Sequence, residues 1–158
     1  MIADNISGTA GLENMPGSAA SDNERLGEII RLPKITDPRG NLTVAEGASV
    51  PFEIKRVYWL YDVPGGESRG GHAHKKLWQL LVATSGSFTV TLDNGVRKDK
   101  YLLNHPWQGL IIHNGLWRTI DDFSSGAVCL CLASEMYDEN DYIRSYDEFL
   151  HYAKGRRP

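Results

Sequence analysis

The sequence predicts an all-β protein, either a sandwich or a barrel, that ends in one short helix. Short runs rich in β-branched and aromatic residues follow one another closely and are separated by glycine and proline turns. Only the last part of the chain has apolar residues at helical spacing. The length of 158 residues suits one such domain.

The predicted strands are short and begin soon after residue 27. Residues 88–92 alternate apolar and polar side chains, which is typical of a strand with one buried face. Asp93, Asn94 and Gly95 follow them and predict a hairpin, because Asn and Gly tolerate the positive φ of tight turns. The other predicted strands cover residues 29–32, 41–45, 54–61, 72–74, 77–84, 100–103, 109–113 and 128–132.

Residues 141–154 form the predicted helix. Tyr142, Tyr146, Phe149 and Leu150 recur at spacings that give one apolar stripe. Acidic residues come early in this segment and basic residues come late, which suits the helix dipole. We therefore expect this helix to pack against the β-domain.

The composition separates a leader, residues 1–26, from a domain, residues 27–158. The leader is rich in small and polar residues, which predicts a flexible segment, and it lacks the pattern of a secretory signal. Cys129 and Cys131 lie two apart in an apolar run and are predicted to be buried thiols of a reducing compartment. We therefore expect a cytoplasmic protein. The net charge of -3 and the short apolar runs argue against nucleic acid and membrane partners.

The segment from Gly66 to Gly86 contains the most informative pattern. His72 and His74 are two residues apart, so a strand would project both side chains to one face. Several glycines precede them and allow a tight turn. This spacing is more specific than a single histidine and predicts a functional site.

The same segment resembles the first motif of the cupin family, which predicts a cupin jelly roll. A cupin metal site would use both histidines, a glutamate and a later histidine. Here the glutamate position holds Gln79 and the later histidine position holds Arg118. Gln is a weak ligand and Arg is a permanent cation, so we expect chemistry without a metal.

A pair of inward-facing histidines suits proton transfer, because the ordinary imidazole pKa is close to neutral pH. Arg69 and Arg118 could stabilise an oxyanion or bind phosphate. This combination predicts removal of a proton next to a carbonyl, through an enediol or an enediolate.

A second resemblance covers residues 27–150. Residues 54–58, the string from Arg69 to Lys75, and residues 132–149 are similar to the TDP-4-keto-6-deoxyglucose 3,4-ketoisomerases. The resemblance implies a homodimeric jelly-roll isomerase without cofactor, whose substrate is dTDP-4-dehydro-6-deoxy-D-glucose. It also implies a pathway to 3-amino-3,6-dideoxy sugars of bacterial surface glycans such as O-antigens.

The resemblance also implies roles for individual residues. His74 would take the proton from C3, and His72 would move a proton between the C3 and C4 oxygens. Tyr58 or Tyr61 would contribute a hydroxyl near the sugar. The residues expected to bind or orient the substrate are Arg56, Tyr61, Arg69, Gln79 and Arg118.

Two alternatives remain at this stage. A sugar-nucleotide 3,5-epimerase-like cupin would use similar histidines but would exchange a proton at C5. A non-catalytic sugar-binding cupin would bind the same substrate without exchange at C3. The configuration of the product at C4 also stays open, because it depends on the shape of the pocket.

Overall fold

The computed structural model describes residues 25–156, and the leader predicted over residues 1–26 lies almost entirely outside them. Within the described residues, most strands belong to two five-stranded antiparallel sheets. The strands are β1 (Glu28–Arg31), β2 (Lys34–Asp37), β3 (Gly40–Thr43), β4 (Arg56–Leu60), β5 (Arg69–His74), β6 (Gln79–Ser85), β7 (Phe88–Asp93), β8 (Lys98–Leu103), β9 (Gln108–Ile112), β10 (Trp117–Asp121), β11 (Val128–Ala133) and β12 (Tyr142–Ile143). One helix, α1, covers Tyr146–Gly155.

The first sheet has the strand order β1-β9-β6-β11-β4, and the second has the order β12-β5-β10-β7-β8. Strands β2 and β3 pair with each other as a separate hairpin. The main core lies between the two sheets, because Phe88, Val90 and Leu92 of β7 pack with Cys129 and Cys131 of β11. The predicted all-β class with one terminal helix is confirmed.

Two smaller cores cover the outer faces of the sheets. Residues 45–54 pack over the outer side of β6, where Leu80 and Val82 are buried. Strand β6 is therefore buried on both faces, which explains its nearly continuous apolar sequence. Helix α1 covers the outer side of β5 through Phe149 and Ala153.

The predicted helix begins too early. Helix α1 starts at Tyr146, where the Ser145 side chain caps it by accepting a hydrogen bond from the backbone of Glu148. Asp141 lies in a short 3₁₀ turn, and Tyr142 lies in strand β12, which pairs with β5. The predicted apolar stripe thus includes one strand residue, Tyr142, because its pairing with β5 outweighs the local helical spacing.

The predicted strands also differ from the structure at three places. Strand β10 and strand β2 were not predicted, and β5 begins at Arg69 rather than at His72. The residues 69–71 contain two glycines, which local propensity assigns to a turn. Here pairing of β5 with β10 holds them in the sheet.

Candidate active site

A cavity of about 550 Å³ opens between the two sheets. Inward-facing residues of β4, β6 and β11 form one wall, and those of β5 and β10 form the other. Residues of the segment before helix α1 contribute to the wall as well. Six of the eight predicted site residues line the cavity: Arg56, Tyr58, Arg69, His72, Gln79 and Arg118.

A bulge in strand β5 determines which side chains face the cavity. Arg118 of β10 pairs with His72, and the next residue, Thr119, pairs with Gly70, so Gly71 is the extra residue. In a regular strand, residues 69 and 72 would point to opposite faces. The bulge restores Arg69 to the inner face, opposite the inward-facing Ile120.

The two histidines occupy different depths. The ring of His72 lines the cavity, whereas His74 is 0% exposed and does not contribute to the wall. The rings lie edge to face, with 4.9 Å between their centroids. Within the described part of the chain, Nε2 of each ring is buried without a hydrogen-bond partner. The ring of His72 is therefore nearer to the cavity, while the reactive nitrogens of both rings are buried.

Both histidines are held in the neutral form. Burial, followed by the charge of Arg118, lowers the pKa of His72 to about 4 and that of His74 to about 2. A neutral imidazole with an unpartnered nitrogen can accept a proton near neutral pH. Two neutral imidazoles therefore lie at the cavity wall and directly behind it.

Arg118 is a buried cation without a carboxylate partner among residues 25–156. Its side chain is 1% exposed, and Nε, Nη1 and Nη2 are all buried without hydrogen-bond partners. Burial lowers the pKa of Arg118 to about 10, which still leaves the guanidinium charged at neutral pH. Burying an unpaired charge is costly, so this cation is arranged for an anion that enters the cavity.

Tyr58 and Gln79 form a hydrogen bond inside the cavity. Nε2 of Gln79 donates a hydrogen bond of 2.7 Å to the Tyr58 hydroxyl oxygen. Burial, assisted by the nearby Cys131, raises the pKa of Tyr58 far above its ordinary value. Tyr58 therefore keeps its proton, and because its oxygen accepts from Gln79, its O–H faces another acceptor, which is the Cys131 sulfur or a bound oxygen.

Arginines surround the outer part of the cavity. Arg56 is half-buried over the ring of Tyr58, and its Nε and Nη2 have no hydrogen-bond partner within the described residues. Arg69 is exposed at the cavity edge. Arg144 also lines the cavity and is paired with Glu139 through two contacts of 2.6 and 2.8 Å. This outer part suits an anionic group such as a phosphate.

The structure does not bring Tyr61 into this cavity. Tyr61 follows the end of β4, is 60% exposed and lines a neighbouring surface recess. Alternation explains the difference, because Arg56, Tyr58 and Leu60 point inward and odd-numbered residues point outward. The substrate-binding role of Tyr61 stays a prediction that this geometry does not support.

Sequence reasoning missed three residues from the segment before helix α1. Asp141 contacts Nδ1 of His74 at 3.0 Å, Tyr142 packs against the rings of His72 and His74, and Arg144 lines the cavity. A strand signal at Tyr142 could have shown that this segment returns to the sheet. No local pattern predicts a contact between residues that are 67 positions apart.

The interior does not resemble a metal site. Among residues 25–156, no group of three or more His, Cys, Asp or Glu side chains is arranged to hold an ion. Arg118 stands beside both histidines and its charge lowers the pKa of each. The histidine pair can take a proton from a carbon atom of a bound molecule, and Arg118 can stabilise the negative charge that results.

The sequence profile of the family "FdtA: WxcM-like, C-terminal" matches residues 26–154. The TDP-4-oxo-6-deoxy-alpha-D-glucose-3,4-oxoisomerase of Aneurinibacillus thermoaerophilus is 47% identical over 126 residues, which cover 79% of this chain and 91% of that protein. The chain belongs to this sugar 3,4-ketoisomerase family. It is an isomerase.

Solved structures support the same relationship. The ketoisomerase is 42% identical to QdtA from Thermoanaerobacterium thermosaccharolyticum, solved in complex with TDP, with a TM-score of 0.82, covering 85% of this chain and 99% of that chain. The RmlC epimerase of Mycobacterium tuberculosis is 17% identical with a TM-score of 0.66 over 82% of this chain and 74% of that one, and it shows the fold alone. The cupin jelly roll predicted for the ketoisomerase is thereby confirmed. Within its described residues, no helix is long and apolar enough to cross a membrane.

Proposed function

We propose that this protein converts dTDP-4-dehydro-6-deoxy-D-glucose into the corresponding 3-keto sugar nucleotide. The observation that carries the proposal is the neutral histidine pair, His72 and His74, beside the buried and unpaired cation Arg118. An enediolate needs both a proton acceptor and a positive charge. The related oxoisomerase with 47% identity supports the choice of substrate.

The first half of the reaction forms the enediolate. Nε2 of His74 takes the proton from C3, which is acidic because it lies next to the C4 carbonyl. The electron pair of the C3–H bond becomes the C3=C4 double bond, and the carbonyl electrons move to O4. Arg118 and the O–H of Tyr58 stabilise the negative charge on O4. This stabilisation makes a weak base such as imidazole sufficient.

The second half returns a proton to carbon. O4 gains a proton while O3 loses one, and the O3 electrons form the C3 carbonyl. The double-bond electrons then take a proton at C4 from protonated His74. The net change moves one hydrogen from C3 to C4 and one from O3 to O4, so no redox cofactor is consumed. His72, whose ring lines the cavity, suits the exchange between the oxygens.

These roles are the ones that the resemblance implies for the two histidines. Exposure does not separate them, because Nε2 of each ring is buried without a hydrogen-bond partner among the described residues. The outer arginines Arg56 and Arg69 suit the diphosphate of the substrate. We propose no metal in this reaction, because Gln79 and Arg118 replace two ligands of the cupin site.

The proposal also covers the biological setting. A 3-keto sugar is the kind of compound that an aminotransferase converts into a 3-amino sugar, so the product suits the synthesis of 3-amino-3,6-dideoxy sugars for surface glycans. We propose that the protein acts in the cytoplasm as a homodimer. The exposed apolar face of β4, formed by Val57 and Trp59, supports a second copy as partner.

The test is incubation of the purified protein with this substrate in deuterium oxide, followed by proton NMR. We expect a 3-keto product with hydrogen or deuterium delivered to C4, at the same rate with and without EDTA. His74→Asn should lower kcat by about 10²–10⁴-fold, which is the contribution of a positioned base. The matched control is His151→Asn, because His151 is exposed on helix α1.

Other outcomes of this experiment would contradict the proposal. Exchange at C5 with the ketone retained at C4 would indicate an epimerase. Binding without exchange at C3 would indicate a sugar-binding protein. Loss of activity in EDTA with recovery on adding metal would overturn the metal-free mechanism.

A further inference from the structure

Tyr142 contributes one aromatic ring that contacts both imidazoles of the site. Its strand β12 pairs antiparallel with β5, and Tyr142 lies directly opposite His74. The centroid of its ring is 4.3 Å from that of His74 and 5.0 Å from that of His72. The ring is half-buried and also lines the cavity. One side chain therefore packs against both histidines at the place where they meet the cavity.

The ring of Tyr142 is itself held in place by Arg144. The guanidinium carbon of Arg144 is 4.3 Å from the centroid of the Tyr142 ring, which is a cation–π contact. Glu139 binds Arg144 through hydrogen bonds of 2.6 and 2.8 Å, and it accepts a further one from the Tyr137 hydroxyl. The Tyr142 ring is therefore fixed by a held cation as well as by the histidine pair.

The contacts of Tyr142 define both the angle and the hydration of the imidazoles. Its ring makes angles of 62° with His74 and 49° with His72, and such edge or tilted contacts are the ones that aromatic rings prefer. The ring also occupies space that water would otherwise take beside them. Burial is the largest cause of the lowered pKa of both histidines, ahead of the charge of Arg118.

Several charged groups face the same histidines. They come from three elements and are Arg56 of β4, Arg118 of β10, and Glu139, Asp141 and Arg144 of the segment before helix α1. Exchanging the Tyr142 ring for an uncharged aliphatic side chain leaves every one of these charges in place. A change in histidine titration after that exchange therefore reports hydration of the imidazoles.

We propose that Tyr142 is a positioning residue of the isomerase: its ring sets the angle of both imidazoles and keeps water away from them. Tyr142 acts through the two histidines and moves no proton itself. This inference deepens the proposed function, and only the activity part of its test rests on that function. The titration part concerns the substrate-free protein alone.

Tyr142→Leu removes the ring and Tyr142→Phe keeps it, so the two variants separate the ring from the hydroxyl group. The imidazole signals of the substrate-free protein are followed by heteronuclear NMR as the pH is lowered. In the wild type and in Tyr142→Phe, we expect His72 to stay neutral down to about pH 5. In Tyr142→Leu, we expect His72 to become protonated between about pH 6.5 and pH 5, because water then reaches its ring.

Steady-state kinetics form the second part of the test. We expect Tyr142→Leu to lower kcat at least about tenfold, because a small displacement of a catalytic group slows the reaction. KM should change less than about threefold, because the arginines of the outer cavity remain. Tyr142→Phe should keep kcat within about twofold of the wild type, because the ring is retained.

Tyr146→Leu is the matched control. Tyr146 begins helix α1, and its ring contacts Trp117 and Phe149 rather than the histidines. If Tyr142 only stabilised the fold, both leucine variants would lower the melting temperature and leave the titration of His72 unchanged. We expect instead that only Tyr142→Leu changes this titration and kcat.

Each contrary result has one meaning. Unchanged titration of His72 in Tyr142→Leu would overturn the proposal, whether or not the protein isomerises this substrate. An active wild type with unchanged kcat in Tyr142→Leu, or with an equal loss in Tyr142→Phe, would overturn it and leave the proposed function intact. An inactive wild type whose His72 titration changes in Tyr142→Leu would refute the proposed function and retain the role of the ring. If Tyr142→Leu does not fold, missing nuclear Overhauser contacts between the Tyr142 ring and the two imidazoles of the wild type would overturn the proposal.

Discussion

Gln79 occupies the position at which the cupin motif has a glutamate. Its amide nitrogen, in place of a carboxylate oxygen, changes the hydrogen bonding of Tyr58. The amide nitrogen donates to the Tyr58 oxygen, so the phenolic hydrogen faces the Cys131 sulfur or a bound oxygen. A carboxylate would instead accept that hydrogen and would place a negative charge near Arg118. At the scale of single residues, the site therefore combines a neutral hydroxyl at Tyr58, neutral imidazoles at His72 and His74, and a cation at Arg118.

The pH dependence of stability follows from His72. Its pKa is about 4 in the folded protein, against an ordinary value near 6.5 in the unfolded chain. Below pH 6.5 the unfolded chain binds a proton that the folded protein does not, so folding stability falls as pH decreases towards 4 and is unaffected above 6.5. His74 acts in the same direction.

We expect urea unfolding to show this loss between pH 6.5 and pH 4. His72→Asn should reduce the loss by an amount on the order of 3 kcal/mol, which corresponds to the pKa difference. His151→Asn should not change it, because His151 is exposed on helix α1. The same pH dependence of stability in His72→Asn and in the wild type would contradict the lowered pKa of His72 as its cause.

At the scale of elements, strand β5 depends on two glycines with positive φ. Gly71 is the bulged residue, with φ +69, and a Cβ there would meet nothing within 4 Å. Gly70 has φ +84, and a Cβ there would lie 2.8 Å from the backbone oxygen of Arg118. The bulge gives Arg69 the same inward direction as His72, so these glycines help to assemble the site.

Alanine substitutions should separate the strain of a positive φ from the close contact with the backbone of β10. Gly71→Ala should lower the free energy of unfolding by about 1 kcal/mol, because only backbone strain is introduced. Gly70→Ala should cost distinctly more, because the strain is combined with a clash against the backbone of β10. Both should raise KM if Arg69 contacts the substrate.

Gly65→Ala is the matched control for these substitutions. Gly65 lies in the loop before β5, its φ is not in the left-handed region, and a Cβ there would meet nothing within 4 Å. We expect it to change neither stability nor KM, as measured by urea unfolding and steady-state kinetics. Equal costs for Gly70→Ala and Gly71→Ala would argue against the role of the close contact.

At the scale of the whole molecule, the outer face of the first sheet is covered on one part and exposed on another. The segment of residues 45–54 buries the outer side of β6 and β11, whereas Val57 and Trp59 on the neighbouring β4 are 48% and 56% exposed. Strand β4 is also an edge strand, with no pairing on its other side within the described residues. An exposed apolar edge favours association, which supports the proposed homodimer.

Trp59→Glu tests this surface. We expect light scattering of the wild-type protein to give twice the 17.6 kDa mass of one chain, and the variant to give the mass of one chain at the same concentration. Leu102→Glu is the control, because Leu102 is 61% exposed on β8 of the other sheet. If Trp59→Glu keeps the mass of a dimer, the interface does not include this face of β4.

Much of the fold was predictable because alternation along a strand is a local property. The inward direction of His72 and His74, the terminal helix and the departures at Gln79 and Arg118 could all be read from the chain. The glycine-containing start of β5 and the short strand at Tyr142 were missed. In both places, hydrogen bonding to a distant strand outweighs local propensity.

The sequence by itself determined the fold class, the shared direction of the two histidines and the absence of two cupin metal ligands. Only the tertiary structure decided that His72 lines the cavity while His74 lies behind it, and that Asp141, 67 positions away, contacts His74. It also decided that Arg69 faces inward and Tyr61 does not. The reason is physical: side-chain direction repeats with the backbone, whereas depth, bulges and distant partners depend on how the sheets pair and pack.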